Sequence, residues 1–148
     1  MSGETRPIEG HCLCGAVRVR MTPPVPHVEA CHCTMCRRWG GGAYLSLRGV
    51  PDPEIEGAEQ IVRYASSDWA ERGFCGKCGT HLFYRFKGAG HYSIAAGLLD
   101  REIAFDLKAE FFIDSKPPYY SFANSAHQFT GAEARALYAP VQPPTDQD

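Results

Sequence analysis

Residues 75–79 read Cys75-Gly76-Lys77-Cys78-Gly79, two cysteines separated by two residues in a glycine-containing turn. A second pair lies near the start of the chain in Cys12-Leu13-Cys14-Gly15, and a triplet follows in Cys31-His32-Cys33-Thr34-Met35-Cys36. A tetrahedral zinc ion holds thiolates at about 2.3 Å, which places neighbouring sulfurs roughly 3.8 Å apart. Ligands therefore come as local pairs on sharply bent backbone, and the glycines suit such bends at Gly15, Gly76 and Gly79.

The seven cysteines divide into four plus three. The two outlying pairs supply four thiolates, the number that closes a structural zinc site, from Cys12, Cys14, Cys75 and Cys78. The triplet of Cys31, Cys33 and Cys36 supplies three, as in catalytic zinc sites that leave a position for water or substrate. His32 or a distant residue could close this second site. Because neighbouring side chains alternate in direction, exposure or a local hydrogen bond is expected for His32 rather than ligation.

Composition and charge narrow the class of protein and the roles that its cysteines can have. The chain has 148 residues, 44% hydrophobic and 22% charged, which predicts one globular domain. Its 15 basic and 17 acidic residues form no run of like charge, so neither nucleic acid nor a membrane is an expected partner. Since no secretory signal or membrane span is evident, we predict a soluble, cytoplasmic protein, where disulfides rarely persist. Metal ligation or a reactive thiol then accounts for the cysteines.

Short strand-like segments between turn compositions predict an all-β fold. The runs are rich in β-branched and aromatic residues and are bounded by glycine and proline. The predicted strands are 16–21, 27–31, 43–48, 60–64, 69–74, 81–86, 91–96 and 110–114. Thr130 and Glu133 form a capping-box pattern for a short C-terminal helix that Pro140 ends. We predict an N-terminal segment (1–9), a domain (10–139) and a disordered tail (140–148).

The motifs that contain the cysteines resemble those of the glutathione-dependent formaldehyde-activating enzyme family, which also includes the centromere protein V group. The resemblance runs from Gly10–Val17 through Cys31–Arg37 to Phe74–Thr80. It implies a β-tent fold of antiparallel sheets with two zinc ions per chain. It also implies that the two cysteine pairs form the structural zinc site. The catalytic and more labile zinc is then expected at Cys31, Cys33 and Cys36.

The resemblance implies a carbon–sulfur lyase reaction run in the direction of synthesis. Glutathione or a related small thiol would add to formaldehyde or a similar electrophile and give an S-hydroxymethyl adduct. Arg37 and Arg38 follow the triplet directly and are predicted to offset its negative charge or to bind a carboxylate of the thiol. Two alternatives stay open: a non-catalytic zinc-binding interaction or thiol-carrier protein, and a redox enzyme that uses a cysteine of the triplet.

Overall fold

A computed structural model describes residues 7–23, 27–88, 90–100 and 105–138 of the chain. Two compact units are present. Unit 1 comprises Met1–Pro26 and Ser46–Ala104, and unit 2 comprises His27–Leu45 and Phe105–Asp148. Each unit contains one of the two cysteine groups, the pairs in unit 1 and the triplet in unit 2. The predicted domain bounds at residues 10 and 139 stay a prediction.

Strands dominate the described residues. They are β1 (Ile8–His11), β2 (Arg18–Met21), β3 (His27–Cys31), β4 (Tyr44–Pro51), β5 (Glu54–Glu56), β6 (Ile61–Tyr64), β7 (Ala70–Cys75), β8 (His81–Phe86), β9 (His91–Ala95), β10 (Asp106–Phe111) and β11 (His127–Phe129). The helices are α1 (Thr34–Gly40) and α2 (Gly131–Tyr138). The prediction of an all-β fold with a short C-terminal helix is confirmed. Among the described residues, no helix has the length and apolar character needed to cross a membrane.

Unit 1 consists of antiparallel ladders. β2 pairs with β1 on one side and β5 on the other, while β4, β9, β8, β7 and β6 pair in that order. Along β1 the side chains alternate between buried and exposed, as one buried sheet face requires. Gly10 in this strand approaches Leu98 so closely that a Cβ would lie 2.3 Å from the Leu98 carbonyl oxygen. Only glycine fits there, and β1 then delivers a buried Cys12 to the first cysteine group.

Unit 2 is built around β10, which pairs in parallel with both β3 and β11. The antiparallel pairing expected from the resemblance therefore holds in unit 1 but is wrong for β10. Phe111 of β10 is buried and stacks on Phe129 with ring centroids 5.0 Å apart, and Ala134 of α2 completes this small core. This apolar packing holds β10 in place beside β3, the strand that ends at Cys31, the first cysteine of the triplet.

The strand predictions locate most elements but miss several. β3 and β8 have the predicted bounds, whereas β1, β5, β11 and α1 were not predicted. The predicted strand at 110–114 instead ends at Phe111, because Phe112 adopts a left-handed conformation with φ 58° that turns the chain.

The predicted capping box of α2 is confirmed. The Thr130 N–H donates to Glu133 Oε1 at 2.9 Å, and the Glu133 N–H donates to Thr130 Oγ1 at 3.1 Å. Pro140 and the predicted tail at 140–148 lie outside the described residues.

Candidate metal centres

The first cluster brings together all four cysteines of the two pairs, and we name it the closed cluster. Its sulfurs lie within 4.8 Å of one another. Cys12 and Cys14 follow β1, whereas Cys75 ends β7 and Cys78 lies in the turn before β8. The Cys14 sulfur is 3.6 Å from that of Cys12 and 3.8 Å from that of Cys75. These distances match the sulfur spacing around a tetrahedral zinc ion.

Two tight turns shape the closed cluster. Gly15 and Gly79 both have φ +81°, a conformation that glycine adopts readily, as the sequence predicts. Gly76 lies in the same turn as Lys77 and Cys78 but outside the left-handed region, so the unusual backbone angle predicted for it is wrong. Backbone N–H groups point at the sulfurs: that of Val17 donates to Cys12 at 3.3 Å, and that of Lys77 donates to Cys75 at 3.4 Å. Such donors stabilise thiolate charge.

Thr80 links the two halves of the closed cluster, a role that sequence reasoning missed. Its hydroxyl oxygen accepts the Leu13 N–H at 3.0 Å and lies 3.1 Å from the Cys78 sulfur. Hydrogen bonds from the Thr80 hydroxyl and backbone N–H lower the pKa of Cys78 to about 5. A threonine two residues after the last cysteine of a pair was the only signal for this role in the sequence.

The thiols of the closed cluster differ in pKa. The Ala16 N–H opposes any rise in the pKa of Cys14, but burial and the neighbouring sulfurs raise it to about 11. Crowded sulfurs in this arrangement repel one another when all are ionised. Four converging thiols with donors aimed at them therefore suit a central cation, and this donor set fits zinc.

The second cluster contains Cys31, Cys33 and Cys36, and we name it the open cluster. The three sulfurs lie within 4.8 Å of one another, and His32 is not part of the group. Cys31 ends β3, Cys33 precedes α1, and the Cys36 N–H donates to the Cys33 sulfur at 3.3 Å. Helix α1 was not predicted, yet it is what turns Cys36 back towards the other two cysteines.

Close approach of the sulfurs also raises pKa values in the open cluster. The Cys33 and Cys36 thiols, followed by burial, raise the pKa of Cys31 well above its ordinary value. Cys31 by its hydrogen bond lowers the pKa of Cys33, but Cys36 and burial outweigh this and raise it to about 12. No cysteine of the described chain forms a disulfide. Among the described residues, three converging sulfurs fit a three-thiolate zinc site with a fourth position left for another ligand.

His32 departs from the expectation of exposure or a local hydrogen bond. It does not belong to the sulfur cluster, but it is fully buried, and its partners lie 78 and 88 residues away in Glu110 and Tyr120. Sequence reasoning missed both partners. A glutamate between Ala109 and Phe111, within an otherwise apolar run, was the one available signal for a buried carboxylate.

The two arginines after the triplet differ in their surroundings. The Arg37 Nε donates to the His32 carbonyl oxygen at 2.9 Å, and the side chain is partly buried. Arg38 is exposed on α1. Both arginines lie in α1, the helix that carries Cys36. Their predicted role in binding a thiol substrate stays a proposal.

Comparison with known proteins identifies close similarity over most of the chain. A family model described as "Glutathione-dependent formaldehyde-activating enzyme" matches residues 7–115. An uncharacterized lyase of Schizosaccharomyces pombe is 38% identical over 125 residues, which covers 82% of this chain and 90% of that protein. The crystal structure of a Rhodobacter sphaeroides protein matches with a TM-score of 0.57 and 21% identity, covering 68% of this chain and 100% of the other. That structural likeness concerns the fold alone.

Proposed function

Because the chain belongs to the glutathione-dependent formaldehyde-activating enzyme family, we propose that it joins glutathione, or a related small thiol, to formaldehyde or a similar small electrophile. A bond forms between the thiol sulfur and the aldehyde carbon, and the thiol proton ends on the aldehyde oxygen. The product is an S-hydroxymethyl adduct, and the enzyme is of the carbon–sulfur lyase type. A glutathione substrate and cysteines that form no disulfide among the described residues both suit the reducing cytoplasm.

The convergence of three sulfurs, rather than four, in the open cluster carries this proposal. We assign Cys31, Cys33 and Cys36 as the ligands of a catalytic zinc ion. When bound, zinc favours the thiolate form of an incoming thiol or polarises an aldehyde oxygen as a Lewis acid. The closed cluster would hold the second zinc ion and stabilise unit 1, because four protein ligands leave no position for substrate.

The residues around the open cluster have separate roles in the proposal. The three cysteines hold the metal and fix where an incoming sulfur can bind. Arg38, exposed on α1, and Arg37, one residue closer to the triplet, are proposed to bind a carboxylate of the thiol. Bidentate binding of a carboxylate by a guanidinium would orient the thiol before the bond to carbon forms.

The test of this function must separate catalysis from the spontaneous reaction, since thiols and formaldehyde form adducts without an enzyme. We expect proton NMR exchange spectroscopy to show that a catalytic amount of the protein speeds the exchange between free glutathione and its formaldehyde adduct. The rate should be at least about tenfold above the spontaneous rate. The Cys33→Ser variant at the same concentration is the control. Binding of glutathione with no acceleration of exchange would contradict the proposal and support a thiol carrier instead.

A further inference from the structure

His32 has both ring nitrogens engaged, although it stands between two cysteines of the open cluster. Its Nδ1 lies 2.8 Å from the Tyr120 hydroxyl, and its Nε2 lies 2.8 Å from Glu110 Oε1. The relative exposure of His32 is 0% and that of Glu110 is 1%. A buried imidazole with two partners is fixed in position and in rotation.

The main chain at His32 is held as firmly as the ring. Its N–H donates to the Phe111 carbonyl oxygen at 2.9 Å, and its own carbonyl oxygen accepts the Arg37 Nε at 2.9 Å. All four hydrogen-bonding groups of this residue are therefore satisfied within unit 2. Two of these bonds hold the peptide groups that join Cys31 to Cys33, and the other two hold the ring.

The direction of the ring hydrogen bonds follows from the chemistry of the partners. The carboxylate oxygen of Glu110 accepts, so the Nε2–H of His32 donates to it. With the proton on Nε2, Nδ1 accepts from the Tyr120 hydroxyl. Burial is the main cause that raises the pKa of Tyr120, so this hydroxyl keeps its proton.

Lys116 holds Tyr120 in place. Its ammonium group donates to the Tyr120 carbonyl oxygen and also lies over the phenol ring, 5.3 Å from the centroid. A further donation from Lys116 to the Pro117 carbonyl oxygen, at 3.0 Å, ties down the same segment. Tyr120 is thus a fixed partner for His32.

We propose that His32 is a positioning residue of the open cluster, which the Glu110 carboxylate and the Tyr120 hydroxyl lock so that Cys31 and Cys33 are correctly spaced before metal binds. The inference rests on the proposed function only in taking the open cluster as a metal site. Ordering a backbone costs conformational entropy, and here that cost is met when the protein folds. Metal then binds to sulfurs that already converge.

Stability alone does not account for this arrangement. A buried histidine–carboxylate pair adds little net stability compared with well-packed apolar side chains, since both groups lose their hydration. Its position at the metal-ligand segment is what a role in orientation requires. Residues that orient metal ligands typically change metal affinity about 10–100-fold when they are replaced.

Metal titration of the full chain tests the inference without any assay of turnover. Cobalt(II) is the probe, because its thiolate absorption reports occupancy against a competing chelator. We expect Tyr120→Phe to bind the second cobalt ion about tenfold more weakly than wild type, with the first ion and the thermal midpoint unchanged. Tyr119→Phe, which alters an exposed phenol next in the chain, is the matched control and should bind as wild type does.

A carboxylate series adds a readout that general destabilisation would not move. Glu110→Ala removes the acceptor and should lower the affinity for the second cobalt ion further. Glu110→Gln keeps an oxygen that accepts from His32 and should restore most of that affinity. In Tyr120→Phe protein whose open cluster has been emptied by a mild chelator, the amides of Cys33 and Cys36 should exchange hydrogen faster than in wild-type protein treated in the same way.

Two results have distinct meanings. Wild-type cobalt affinity and wild-type amide exchange in Tyr120→Phe would overturn the positioning role. If wild-type protein itself takes up no second cobalt ion, the metal assignment of the proposed function fails instead.

Discussion

Cys75→Ser is expected to unfold unit 1. Cys75 is fully buried at the end of β7, and its sulfur lies 3.8 Å from that of Cys14. Structural zinc sites contribute apparent binding free energies of about 10–16 kcal/mol to folding. Domains are stable by only about 5–15 kcal/mol in total, so a variant that no longer retains this zinc ion loses an amount comparable to the whole.

Circular dichroism and zinc content measure this effect. We expect Cys75→Ser to show no cooperative thermal transition and to lack zinc in the closed cluster. Lys77→Ala is the matched control, because this exposed side chain lies in the same turn and should leave the midpoint within a few degrees of wild type. A Cys75→Ser protein that melts at the wild-type temperature would show that the closed cluster does not stabilise unit 1.

Cys33→Ser is expected to abolish catalysis while the protein stays folded. Serine is close in size to cysteine and is a favourable residue before a helix, so its hydroxyl can accept the Cys36 N–H that the Cys33 sulfur now accepts. A hydroxyl is a poor ligand for zinc, which proteins bind through thiolate, imidazole and carboxylate groups. One zinc ion per chain should be lost, and adduct exchange should fall to the spontaneous rate.

The contrast with Cys75→Ser makes this prediction specific. Cys33→Ser should keep a cooperative transition near the wild-type midpoint, and Thr34→Ala, an exposed change next to it, should retain exchange activity. Exchange activity at the wild-type level in Cys33→Ser would contradict the assignment of the open cluster. Unfolding of both cysteine variants alike would contradict the division into a structural and a catalytic cluster.

The cysteine groups were predictable from sequence because metal geometry constrains ligand spacing locally. Cys75 and Cys78 must approach within a few ångströms, which only a tight turn allows, and the structure confirms both convergences. Strand patterning was similarly informative where apolar residues are dense, as in β8. These signals depend on neighbours in the sequence.

Features that depend on distant partners could not be predicted in the same way. Buried His32 takes its hydrogen-bond partners from Glu110 and Tyr120, which lie far along the chain. No local sequence pattern predicts that pairing. The parallel pairing of β10 with β3 also joins segments separated by many residues. Phe112 ends β10 by adopting a left-handed conformation that its residue type disfavours, so propensity alone extends the strand too far.

The central claim is that one zinc ion is enclosed by four cysteines while a second is held by three and stays accessible. Zinc analysis of freshly purified protein, before and after a mild chelator, tests it most directly. We predict two zinc ions per chain at first, and one after treatment, with the remaining ion released only on unfolding. Two ions that resist the chelator equally, or disulfides in place of zinc, would contradict it.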